Sequence, residues 1–310
     1  MTEQLGFEGM PQKLFVGTPS KLLSYEDCPR RYRYSYRDRP QPQKGPPWAH
    51  NSLGASVHTA LRSWYALPPG RRNPDRIAVL LKATWVSEGY RDAAQERMVF
   101  DRALGWLQRY LAELDPADEP LGVERTVAAK TTTLALSGRV DRLDKRGGEV
   151  VIVDYKTGRS ELTDDDARGS RALALYAYAA ERTLRTRCRQ VELHHLPTGT
   201  LARHTHTDES LARHLRRAEE AVADIRSAER AVADGKDPDD AFPATTGRQC
   251  SWCDWRKVCP AAAQIPAKDP WAAIPEPTPT PTGNGEGPAS TPGRPPTAVT
   301  QATGDEASSS

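Results

Sequence analysis

No stretch of this chain approaches the roughly 18 consecutive apolar residues that a membrane span requires. The opening residues, MTEQLGFEGMPQKLF, hold no apolar h-region, so the expected location is the cytoplasm. Cysteine is scarce: five in 310 residues argue against a disulfide framework and leave metal ligation or buried thiols. A G-x-x-x-x-G-K-[ST] phosphate loop is missing, which excludes a nucleotide-driven motor within the chain and makes any helicase a separate partner. An excess of charge is missing too, since 43 Lys+Arg against 41 Asp+Glu leave +2, a balance that says nothing about nucleic acid. Hydrophobic content is low at 37%, partly because Pro, Thr, Gly, Ser and acidic residues dominate from Ala267 onward. Residues 267–310 are therefore expected to form a disordered tail, and residues 1–12 a flexible N-terminus.

What is present centres on LALSGRVDRLDKRGGEVVIVDYKTG, residues 134–158. Two β-rich runs flank Gly147-Gly148, a pair that accepts the positive φ of a tight primed turn, so the segment reads as a β-hairpin. With those glycines as the turn, Arg146 falls opposite Glu149 and Asp141 opposite Asp154. Like charges facing each other are destabilising in a sheet and call for a compensating charge. Alternation puts Val150, Ile152, Asp154 and Lys156 on one face, so the lysine emerges beside the carboxylates. Oxygen ligands of this kind suit Mg2+ or Mn2+, which would polarise a phosphoryl oxygen, while the lysine stabilises developing charge or holds the attacking water. An exposed hairpin end carrying ordinary salt bridges is the competing reading.

This pattern, G-R-V-D-R-L-D followed by V-V-I-V-D-Y-K-T-G, resembles the RecB-type branch of the PD-(D/E)xK nuclease superfamily. Asp141 matches the first acidic residue, and Asp154-x-Lys156 the (D/E)xK element. Further along the chain, LGASVHTALRSWYAL forms an amphipathic helix with Gly54, Val57, His58, Leu61 and Trp64 on one face. His58 lies in G-x-x-x-H-x-x-L, which resembles the family's first motif and implies a metal-ligating role beside Asp141 and Asp154. Glu124 sits in the strand before the hairpin, where similar nucleases often carry a glutamate; a salt bridge accounts for it equally well. Tyr176, in an Ala/Leu-rich helix over residues 170–184, matches the tyrosine of a Q-x-x-x-Y motif and would position substrate. The glutamine position holds Ala172, a departure that removes one polar contact, for which Arg168 or Arg171 could substitute by binding phosphate.

The second constellation is Cys250, Cys253 and Cys259, spaced C-x2-C-x5-C, which places three thiolates within reach of one ion or cluster. Ser20, Tyr25, Cys28, Pro29 and Tyr32 resemble the opening of RecB-like nucleases that carry a [4Fe-4S] cluster, which implies Cys28 as the fourth ligand; zinc is the structural alternative. Cys188 reads as a buried thiol. Around Cys28, Arg30, Arg31, Arg33, Arg37, Arg39 and Lys44 interleave with Tyr32, Tyr34 and Tyr36. Phosphate contacts with base stacking, or a solvated face with tyrosines packed inward, both fit that stretch. His204 and His206 share a strand face, as a metal pair or as exposed edge histidines.

The resemblance spans most of residues 13–266. It implies an α/β, restriction-endonuclease-like core with a central mixed sheet flanked by helices and an iron-sulfur staple joining the N- and C-terminal parts. The implied activity is metal-dependent DNA hydrolysis, exonucleolytic on single-stranded ends, in repair or recombination. Two other classes stay open: a non-catalytic DNA-binding or assembly module that kept the cluster, and an endonuclease of restriction or CRISPR-adaptation type.

Overall fold

The computed structural model describes residues 13–274; the terminal calls for residues 1–12 and 275–310 lie outside that range. Six strands share one mixed sheet: β1 (Phe15–Gly17), β2 (Gly122–Lys130), β3 (Leu134–Arg146), β4 (Glu149–Lys156), β5 (Cys188–His195) and β6 (Thr200–Thr205). β3 organises it. Antiparallel β2 runs along one edge of β3, while parallel β1 takes the start of the opposite edge and antiparallel β4 takes its end. Between Leu136, the last partner of β1, and Arg142, the first partner of β4, that edge of β3 is left open. Asp141 lies in this gap. Parallel β5 and antiparallel β6 complete the sheet beyond β4.

The hairpin follows the local sequence. Gly147 and Gly148 take φ values of 57° and 86°, and Arg146 pairs with Glu149. That register, continued past Arg142 and Val153, sets Asp141 opposite Asp154. Alternation along β4 then divides two cores. Val150 and Ile152 pack into one cluster, against α7 (Arg171–Leu184) and α8 (Asp208–Ala233), while Val151, Val153 and Tyr155 pack into the other, against α3 (Ala49–Tyr65), α4 (Arg76–Thr84) and α5 (Ala93–Ala112). Both faces of the strand are covered, so it reads as nearly continuous apolar sequence. The parallel β4–β5 connection runs through α6 (Asp164–Gly169) and α7.

At the N-terminal end, Thr18 caps α1 (Pro19–Asp27) through the Lys21 backbone N–H. The helix stops at Cys28, whose backbone is extended, and α2 (Pro29–Tyr36) restarts on Pro29 at a position where a missing N–H costs nothing. Part of the charged stretch here is structural, while Arg31, Tyr36, Arg37, Arg39 and Lys44 stay exposed. Tyr32 and Tyr34 are buried, and the buried guanidinium of Arg30 donates to the Phe242 and Asp239 carbonyls and pairs with the Asp239 carboxylate at 2.7 Å. Arg33 joins the same carboxylate at 2.8 Å. Protein contacts thus already tie the N-terminal helices to the C-terminal segment.

Two further expectations are corrected. His206 is buried rather than an exposed edge residue, its Nδ1 hydrogen-bonded to Ser210 Oγ at 2.9 Å and its ring against His204 and His214. Residues 267–274 are ordered against the body rather than part of a tail. The Lys268 N–H donates to Ser251 O, the Ala49 N–H donates to Pro270 O, and Ile274 is buried in the α3–α5 core. Ile274 is an apolar anchor that precedes the Pro/Thr tract, so composition averaged over the tract hides it.

Candidate active site

Tyr155, the middle residue of Asp154-Tyr155-Lys156, is held by its backbone from two directions. Its N–H donates to Asp141 Oδ2 at 2.9 Å, across the gap where strand pairing ends. Its carbonyl lies 3.1 Å from His58 Nε2, which therefore carries the donated hydrogen. The other ring nitrogen, Nδ1, is left facing Asp141 Oδ2 at 3.3 Å. Burial alone would push the His58 pKa down, but the hydrogen bond and charge of Asp141, with Asp154 and Glu124, push it above the ordinary histidine value. His58 reaches this position because Val57, Leu61 and Trp64 anchor α3 in the core beside it.

Asp154 projects from β4 on the face of Val150 and Ile152, and its Oδ2, shut off from solvent, contacts the Lys156 Nζ at 2.6 Å. Burial and the neighbouring Asp141 raise its pKa, against the opposing pull of Lys156 and His58. Four of the expected residues, His58, Asp141, Asp154 and Lys156, thus converge on one locus.

Glu124 is the residue that sequence reasoning underweighted. The pairs Val123–Arg142 and Arg125–Val140 flank it on β2, so it faces Asp141 across the ladder, and its backbone takes a φ of 49°. Among the described residues, His58, Glu124 and Asp141 form the one trio of metal-ligating side chains whose donor atoms lie within 4.8 Å of one another. One nitrogen and two carboxylate oxygens form a donor set that fits a hard divalent cation. Arg139 Nε meanwhile holds Glu124 Oε2 at 2.7 Å.

His58, Glu124, Arg139 and Asp141 border an open cavity of about 540 Å³ that also takes in Arg62, Gly138 and Tyr176. Tyr176 lies over β3 where Gly138 has no side chain; a Cβ there would come within 2.4 Å of the tyrosine Cε1. Burial, with the charges of Asp154 and Asp141, pushes the Tyr176 hydroxyl up to about 12, so it stays a neutral donor. Neither arginine offered in place of the missing glutamine is unengaged: Arg171 pairs with Glu26, and Arg168 with Asp165 at 3.1 Å.

Behind the strand, Arg142 is buried among Tyr65, Tyr110 and Tyr155 and donates to Asp144 Oδ2 at 2.7 Å. Arg146 links Asp144 to the buried Glu192, and His194 returns the chain to Tyr110. The Tyr155 ring is thereby fixed on the far face while its backbone serves the site.

Cys28, Cys250, Cys253 and Cys259 line a second cavity of about 240 Å³, with Arg30 and Arg31 in its wall. The backbone N–H of Thr245 points at Cys28 Sγ, 3.4 Å away. No three of these sulfurs meet the 4.8 Å convergence that the His58 trio does. Cys188 is not among them; it is buried at the start of β5, its thiol pushed up to about 12 by burial.

Residues 17–260 match the family model for the PD-(D/E)XK nuclease superfamily. Among solved structures, the chain is similar to the crystal structure of SSO0001, with 13% identity, 82% of this chain and 90% of that chain covered, and a TM-score of 0.37. It is also similar to a "Putative exonuclease" from Eubacterium rectale, with 11% identity, 76% and 86% covered, and a TM-score of 0.42. No curated protein matches the chain.

Proposed function

The chain belongs to the PD-(D/E)XK nuclease superfamily, and from that membership we propose that it is a metal-dependent exonuclease of the RecB-like branch, acting on single-stranded DNA ends in repair or recombination. The observation that carries the reading is the convergence of His58, Glu124 and Asp141 over β3, with the Asp154–Lys156 pair beside them. His58, Asp141 and Glu124 would hold the ion, with Asp154 beside them. When bound, a divalent cation supplies Lewis-acid polarisation of a phosphoryl oxygen.

The remaining work falls to the protein. Lys156, fixed by the Asp154 carboxylate at 2.6 Å, donates hydrogen bonds to the attacking water and to charge developing on the phosphoryl group. Tyr176 donates to a phosphate oxygen of the strand lying across Gly138. The doubly held Tyr155 backbone keeps Asp154 and Lys156 in register with Asp141, which preserves a geometry tight enough for catalysis.

We further propose that Cys28, Cys250, Cys253 and Cys259 hold a [4Fe-4S] cluster. Support comes from the spacing and from four cysteines lining a single cavity. Arg31 places positive charge beside a group that would be anionic.

Incubation with end-labelled linear and circular single strands plus Mg2+ or Mn2+ tests the catalytic reading. Linear strands should be shortened from an end and circles spared. Asp154→Ala and Lys156→Ala should each slow cleavage at least ~100-fold while DNA binding persists. Cleavage at the wild-type rate by both variants would overturn the site assignment. Wild-type protein that binds DNA and never cleaves it would make a non-catalytic module the better reading.

A further inference from the structure

Next to the catalytic cavity is a second compartment with different chemistry. Its volume is about 470 Å³, within the roughly 300–1,000 Å³ range of small-ligand pockets. Leu53, Val99, Pro197 and Ile274 give it apolar walls, and the half-buried Trp106 adds an aromatic surface. The floor is the backbone that leaves the catalytic strand, Thr157 to Arg159, directly after Lys156.

Three features make this a compartment of the substrate path rather than an isolated void. Gly54 borders the catalytic cavity, and a Cβ built on it would lie 3.6 Å from the Oγ1 of Thr157, which lines the second space. The floor is rigid: His195 Nε2 donates to the Gly158 carbonyl at 2.7 Å, and His195 is itself buried and tied to Thr198. The exposed guanidinium of Arg159 stands at the rim, with no ion pair among the described residues.

An apolar slot with one aromatic wall and a cation at its mouth is complementary to a nucleobase whose own phosphate lies outside. We propose that this compartment receives one unpaired base of the substrate strand, the base adjoining the phosphate that lies at Lys156. The inference rests on the nuclease reading above and adds a position-specific subsite to it. The base enters beside Trp106, and Arg159 takes the flanking phosphate. A paired base cannot enter without leaving its partner, so the same pocket selects single-stranded ends over duplex.

The test removes the base rather than the pocket. A set of 5′-labelled single strands, each carrying one abasic residue at successive positions, is measured for binding with Ca2+ and for cleavage with Mg2+, beside an unmodified strand. One position, next to the cleaved bond, should lose at least about fivefold in affinity and in kcat/KM. Trp106→Ala and Arg159→Gln, both outside the catalytic cluster, should weaken the unmodified strand, and Trp106→Ala should erase the abasic penalty at that one position. Normal cleavage of the unmodified strand with no position-specific penalty overturns the subsite and leaves the nuclease reading standing. Failure to bind or cleave the unmodified strand overturns both. A penalty that appears only after residues 276–310 are removed assigns the pocket to the chain's own C-terminal segment and overturns the proposal.

Discussion

Glu124 stands across the β2–β3 ladder from Asp141 and does so with a φ of 49°, a backbone region that side-chain-bearing residues rarely adopt. The left-handed conformation costs a non-glycine residue roughly 1–2 kcal/mol, and the facing carboxylate adds repulsion. Strain and like charge coincide where the metal-ligating trio forms.

Glu124→Gly should therefore be more stable than Glu124→Ala by about 1 kcal/mol, the reverse of the order expected in an ordinary strand. Both variants should bind Mn2+ at least ~10-fold more weakly than wild type. Urea unfolding and calorimetric Mn2+ titration check the two halves separately. Equal stability of Gly and Ala would remove the strain argument, and unchanged Mn2+ binding would remove Glu124 from the ligand set.

Gly138 and Tyr176 should be coupled. A methyl group on Gly138 meets the tyrosine ring at 2.4 Å, so Gly138→Ala must displace it. The single variant should lose both stability and kcat. Against a Tyr176→Ala background the same substitution should cost much less stability, because the colliding ring is gone. A double-mutant cycle with no coupling would show that the ring is not held there.

The cysteine assignment makes separate predictions for Cys28 and Cys188. Protein purified without oxygen should be brown, with broad absorption near roughly 400 nm. Cys28→Ala should lose colour and stability together, whereas Cys188→Ala should keep the colour, since its thiol is buried at the start of β5 and does not line the cysteine cavity. Stoichiometric zinc without iron in such a preparation would replace the cluster by a structural zinc site.

Glu192 gives the fold an acid limit. Burial alone would push its carboxyl up, but hydrogen bonds from His194 and Arg146, with their charges, hold it down to about 2, against an ordinary value of 4.5. A depressed folded-state pKa contributes stability that is present above the ordinary carboxylate range and is lost as pH falls toward 2. Glu192→Gln should cost roughly 3 kcal/mol at neutral pH, and the difference from wild type should shrink below about pH 4.5. Chemical denaturation at a series of pH values checks this; a difference independent of pH would point to packing instead of charge.

Local sequence determined the central hairpin outright. Gly147-Gly148 permits one tight turn, that turn sets the register, and a period of two then fixes which side Asp154 and Lys156 occupy. The C-x2-C-x5-C run and the inward face of the His58 helix were legible for the same reason, because spacing along one element constrains direction. The β2–β3 turn, Thr131 to Thr133, contains no glycine, asparagine or aspartate to pin its geometry, so nothing in the sequence tied Glu124 to Asp141. Only the folded ladder did that. Tertiary packing also turned Tyr32 and Tyr34 inward, paired Arg30 with Asp239 two hundred residues away, and brought Cys28 to the C-terminal cysteines. It buried His206 and Ile274 as well, where averaged composition and strand position had placed them outside. In each of these the partner is distant in sequence, and burial depends on a surface that exists only after the sheet has formed.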